Sequence, residues 1–173
     1  MKHTFLTSAV LFVVCLGNLR AQDSLYVKSF VSRKFESEFE GASNVEWSRG
    51  RHLYVALFHY RDDVWLAFYN THGERIACGR RLKSLHNVPL QVQLGIADSR
   101  RSVEQKYGSF VTSFIIELVQ YGETRYYVPI ESGSASMILC ADNAGKVMIS
   151  TKNLKGVVGR GTGELLASVS RRR

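Results

Sequence analysis

The sequence predicts an α+β protein of two tandem units, each a helical segment followed by a four-stranded antiparallel meander. Three observations predict it. Shifting the sequence by 72 residues lays one half on the other without a gap. Each half opens with apolar residues at three- and four-residue steps, the period of an amphipathic helix. Each then runs through β-rich segments joined by short turns. Two such units can align edge to edge into one eight-stranded sheet with both helices on one face.

The repeat settles the reading of its most chemical-looking stretch. "FYNTHGERI" (68–76) falls on "CADNAGKVM" (140–148), so Asn70 meets Asp142 and Gly73 meets Gly145. "VSRKF" (31–35) likewise falls on "VEQKY" (103–107), Gly50 on Gly122 and Tyr54 on Tyr126. Asn or Asp three residues before Gly, between alternating apolar runs, is hairpin chemistry. The side chain bonds nearby backbone, and glycine accepts a positive φ. His72 becomes Ala144 in the second copy, which makes it a turn residue rather than a catalytic or metal-binding one.

Residues 22–85 form the first unit. Its helix covers 27–39, burying Val27, Phe30, Val31, Phe35 and Phe39 and exposing Lys28, Arg33, Lys34 and Glu36. "EGASN" ends it, and strands follow over 45–48, 52–60, 64–70 and 74–82. The linker "HNVPL" (86–90) opens the second unit, residues 86–152. Its helical stretch covers 90–107, with a break expected near Gly95 to Ser99 and Asp98 or Ser99 as a cap. Strands are expected over 110–121, 124–132, 135–142 and 146–152, with Pro129 marking an edge or a bulge. Residues 153–173 read as a flexible basic tail, with a short helix over 164–171 as the alternative.

Residues 1–21, "MKHTFLTSAVLFVVCLGNLRA", have the layout of a secretory signal peptide cleaved after Ala21. The apolar run is too short for a comfortable membrane span. Acylation at Cys15 is the lesser alternative, because Val14 before it is bulky. Losing residues 1–21 removes Lys2 and Arg20, leaving 21 of the 23 basic residues against 15 acidic ones, net +6. An exported protein rarely meets nucleic acid, so "GRRLK" (79–83), "SRR" (99–101) and the final "RRR" read as solvated charge. Cys78 and Cys140 can be a disulfide or two buried thiols, and the spacing does not choose.

"SRKF" (32–35), "GASNVEW" (41–47), "YVALF" (54–58) and "AFYNTHGE" (67–74) together resemble the PepSY-like, β-lactamase-inhibitor-like (BLIP-like) proteins of bacterial periplasms. The resemblance spans most of residues 27–152 and implies a tandem α+β fold whose sheet can form a concave surface. It implies no inhibitory activity, since no loop maps onto an inhibitory contact. The second half departs from the pattern at Val119, where the first has Trp47, and residues 153–173 lie outside it.

No catalytic constellation emerges. His52 and His59 fall on opposite sides of a strand, and no short His/Asp/Glu spacing suggests a metal. "GRGTGE" (159–164) lacks the strand–helix context of a phosphate loop, and Asp62 and Asp63 sit in a turn. Neither a cofactor nor an enzymatic activity is expected. One sheet face, with Tyr54, Ala56, Phe58, Trp65, Ala67, Tyr69, Tyr126, Val128, Ile130, Met137, Leu139 and Ala141, is expected to pack under the helices. The opposite face carries Val55, Leu57, His59, Leu66, Phe68, Tyr127, Ile138 and Cys140, too apolar for a solvated surface. It is expected to bind a protein, a peptide or a second copy, unless the tail covers it. A small-ligand sensor or an envelope hydrolase are the alternatives.

Overall fold

The structure, a computed structural model, describes residues 27–50, 52–112 and 114–154. The signal-peptide reading, and the tail beyond Leu154, lie outside the described residues. Helix α1 (Ser29–Glu38) leads into strands β1 (Ser43–Arg49), β2 (Leu53–Tyr60), β3 (Asp63–Asn70) and β4 (Arg75–Leu82). A short 3-10 turn, Leu85–Asn87, precedes helix α2 (Leu90–Tyr107). Strands β5 (Ile115–Gln120), β6 (Glu123–Glu131), β7 (Ala135–Asp142) and β8 (Val147–Leu154) complete one antiparallel sheet ordered β1 to β8. β3 and β7 are offset by 72 residues at both ends, and so are β4 and β8.

Matched turns account for that offset. Asn70 Oδ1 accepts from the backbone N–H of His72 (2.9 Å) and Glu74 (3.0 Å). Asp142 Oδ1 accepts from Ala144 and Lys146, both at 2.9 Å. Gly73 and Gly145 take φ of +84° and +82°, a region closed to most side chains. His72 is exposed on its turn, as expected.

Both helices lie on one face. Val31 and Phe35 of α1, with Phe39 at its C-cap, pack on Tyr54, Ala56, Phe58, Ala67 and Tyr69. Ring centroids 4.8 Å apart for Phe35–Phe58 and 5.3 Å for Phe35–Trp47 make this an aromatic core with edge-on contacts. Val92, Ile96 and Val103 of α2 pack on Tyr126, Val128, Ile130, Met137, Leu139 and Ala141. The assignment of these strand residues to the helix-covered face holds throughout.

Three local expectations are corrected. Helix α2 runs unbroken from Leu90, with Pro89 at its N-cap, and Asp98 pairs with Arg101 at 3.3 Å instead of capping a second piece. Gly95 is there for packing: a Cβ on it would sit 1.9 Å from the Gly145 carbonyl oxygen, so the helix rests on the β7–β8 turn backbone to backbone. The strand expected from residue 110 begins at Ile115, because Phe110 is drawn down into the core under α2. Finally, β6 is an interior strand. Pro129 therefore marks an irregularity and not an edge: four residues separate Tyr127 from Glu131 while five separate their partners Ile116 and Val111, and the missing N–H falls in that interruption of the β5–β6 ladder.

Candidate binding face

The face without helices is assembled by register. Val55 stands beside Phe68, Leu57 beside Leu66, Tyr127 beside Ile116 and Cys140, and Ile138 beside Pro129. Strand alternation puts these side chains opposite the helix-packed set, so the expected surface residues do share a face. Gly79 lies in the middle of the row, between Leu66 and Leu118. A Cβ there would meet the Glu117 carbonyl oxygen at 2.3 Å, so glycine lets β4 and β5 approach where the two halves join.

Leu53, Val55, Leu66, Phe68, Ala77, Ile116, Leu118, Tyr127, Ile138 and Cys140 form one apolar group, with Leu57, Ile76 and Phe114 packed against it. The sequence suggested an exposed surface, but most of these side chains are buried. Leu57 is half-buried, and His59 at the open end of β2 is exposed. Arg81, at the same level as Ile116, lies over the Phe114 ring, 4.3 Å from its centroid.

The helix side carries a polar seam between the two cores. Arg80 Nε donates to Glu117 Oε2 at 2.7 Å, and the Tyr126 hydroxyl donates to Glu117 Oε1 at 3.2 Å. The bond to Glu117 is the main reason the Arg80 guanidinium holds its proton even more firmly than usual. Tyr69 donates to Glu38 Oε2 at 2.9 Å, and Arg75 closes on the same oxygen at 2.9 Å. Burial, reinforced by Glu38, pushes the Tyr69 hydroxyl well up. These groups satisfy one another, and none is left as an acid or base aimed at open space. A groove of about 270 Å³ between α1 and β1, lined by Phe35, Glu36, Phe39, Glu40 and Trp47, is open to solvent.

The two cysteines are free. Cys78 points to the helix side and Cys140 to the other, so the sheet separates them and the disulfide alternative falls away. Burial raises both thiols above their ordinary value of 9.0, so both are protonated at neutral pH. Among the described residues no group of three or more His, Cys, Asp or Glu is placed to hold a metal ion. No described helix is long and apolar enough to cross a membrane.

Solved structures share this architecture. A provisionally periplasmic protein of Bacteroides eggerthii superposes with a TM-score of 0.63 at 14% identity, covering 75% of this chain and 90% of that one. A BLIP-like protein of Bacteroides fragilis superposes at 0.56 and 16% identity, covering 81% and 93%. The chain has the BLIP-like fold. A DUF2874 family protein of Bacteroides uniformis shares this BLIP-like architecture, with a TM-score of 0.62 at 12% identity over 78% and 94% of the two chains. No family profile and no curated protein matches the sequence.

Nothing in single-strand periodicity signals that the apolar face is buried. The Arg80–Glu117–Tyr126 seam was likewise missed. Only strand order, which brings β4 beside β5 across the helix between them, places these residues together.

Proposed function

We propose that this chain is an exported, non-enzymatic binding module that uses the helix-free sheet face to take a protein or peptide partner, or a second copy of itself. The observation that carries this reading is one apolar face, continuous from β2 to β7, on a sheet whose described helices both lie on the other side. The half-buried Leu57 and exposed His59 give that face its accessible end. The BLIP-like fold and the unactivated thiols support a role without chemistry. The signal-peptide layout read in residues 1–21 supports export.

The test is size-exclusion chromatography with light scattering on residues 22–173, alone and with periplasmic extract. A dimer or a co-eluting protein is expected, and it should be lost in Leu57→Asp and His59→Glu chains that keep their melting temperature. Phe68 is unsuitable for this purpose, because at 1% exposure an aspartate there would attack the fold itself. A monomer that captures nothing, or capture unaffected by both substitutions, would sink the reading.

A further inference from the structure

We propose that the groove between α1 and β1 is a second binding site, which takes the lysine or arginine side chain of an extended peptide lying along the outer edge of β1. Ser32, Phe35, Glu36, Phe39 and Glu40 recur at three- and four-residue steps, so one stripe of α1 and the residues just past it make one wall. Val45 and Trp47, two apart on β1, make the other. Phe35 and Phe39 are buried beneath. The half-buried Trp47 meets Phe35 edge-on at 5.3 Å and keeps part of its indole open to the groove.

Charge gives the sign of the ligand. The chain has 23 basic residues against 15 acidic ones, yet the charged side chains of the groove are two glutamates and no cation. Glu38, between them in sequence, is neutralised by Lys34 at 3.3 Å and Arg75 at 2.9 Å. Among the described residues Glu36 and Glu40 have no such partner. Ser32 Oγ donates to Glu36 Oε1 at 2.9 Å, which leaves Oε2 for a ligand. Both glutamates are exposed and stand towards the C-terminal end of α1, where the helix dipole disfavours an anion and favours a cation. Helix stability therefore does not account for them. An aromatic surface rimmed by unpaired carboxylates suits an ammonium or guanidinium group.

The sheet edge points to a peptide as the carrier of that group. β1 is first in the strand order, so among the described strands its outer side has no neighbour. Ser43 to Glu46 are exposed along it. Open backbone groups beside a side-chain pocket are what an added strand uses, the backbone for affinity and the pocket for selecting a side chain. The β1–β2 ladder shifts between Ser43 and Glu46 and is regular only from Glu46 to Arg49, so the added segment is short. A groove of about 270 Å³ holds one long side chain rather than a folded module. It lies on the helix side, away from Leu57, and does not depend on the binding role proposed above.

The test is a fluorescence titration of residues 22–173 carrying Trp65→Phe, which leaves Trp47 as the one tryptophan. The probe is the peptide acetyl-Thr-Val-Lys-Val-Thr-amide, and a saturable change in Trp47 emission is expected. Norleucine in place of the lysine keeps the chain and removes the charge, and it should weaken binding at least tenfold. Glu36→Gln/Glu40→Gln in the protein should do the same at an unchanged melting temperature. Leu57→Asp, on the other face, should leave the titration within twofold, so failure here is distinct from failure of the sheet-face reading. No saturable change, equal binding of the norleucine peptide, or normal binding by the glutamine variant overturns the proposal. Acetyl-lysine amide binding as tightly as the peptide overturns the assignment to an added strand.

Discussion

Replacing Gly95 by alanine sets two effects of opposite sign against each other. In an exposed helix interior Gly→Ala stabilises by about 1 kcal/mol, because alanine loses less backbone entropy on folding. At Gly95 the added Cβ would stand 1.9 Å from the Gly145 carbonyl oxygen and 2.9 Å from its carbon. A relaxed carbon–oxygen contact is above 3 Å, so helix and turn must part by roughly an ångström or more. The turn cannot easily yield, since Asp142 already holds Ala144 and Lys146 by their N–H groups. Overpacking of this kind costs about 1–3 kcal/mol, and the clash is with backbone, so the upper half applies. The net expectation is a loss of about 1–2 kcal/mol, or roughly 3–8 °C in Tm for a domain of this size. Urea unfolding of Gly95→Ala, beside Gly133→Ala where a Cβ meets nothing within 4 Å, measures it. A Gly95→Ala protein more stable than the parent would refute the packing account of this glycine.

Three further outcomes follow from the same geometry. Asp142→Ala and Asn70→Ala should each cost about 1 kcal/mol in chemical denaturation, since each removes the acceptor for two backbone N–H groups, whereas His72→Ala should stay within about 0.5 kcal/mol. Phe35→Ala, emptying the space between Phe39, Trp47 and Phe58, should cost about 3–5 kcal/mol by calorimetry. Raising the pH should destabilise the fold. Cys78 and Cys140 are held above 9.0, and Tyr69 and Tyr127 above 10.0, chiefly by burial. The unfolded chain therefore releases these protons first. Their stabilisation is whole below pH 9 and declines from there upward, so Tm should fall between pH 9 and 11, and less steeply in a Cys140→Ala chain. A flat Tm over that interval would contradict the burial of these groups.

How much could be read beforehand depends on how local the cause is. The Asn70–Gly73 and Asp142–Gly145 turns were legible because the residues that make them also bond within them. Face assignment along β2, β3, β6 and β7 was legible because alternation depends only on parity. Gly95 misled because its reason lies fifty residues away, in the Gly145 turn, and a glycine that permits a close approach looks identical to one that ends a helix. Residues 110–114 misled for a related reason: apolar character marks Phe110 for burial, but not whether sheet or helix buries it. For the candidate site, membership was readable and exposure was not. Val55, Leu66, Phe68, Tyr127 and Ile138 do share one face, yet no strand pattern states what lies over it.

The strand order carries a consequence for how this chain reaches its fold. Every rung of the sheet joins neighbours in sequence, from β1–β2 to β7–β8. Six of the seven pairings therefore close across a loop of only a few residues, and only β4–β5 must wait for an intervening helix. Loop-closure entropy is small for each short step, and topologies of low contact order fold fast for β-rich proteins. A chain emerging from its N-terminus always presents the next strand with a partner already in place. β1 to β4 need nothing downstream to pair, so the half carrying α1 can order itself and stand as the template edge on which β5 docks.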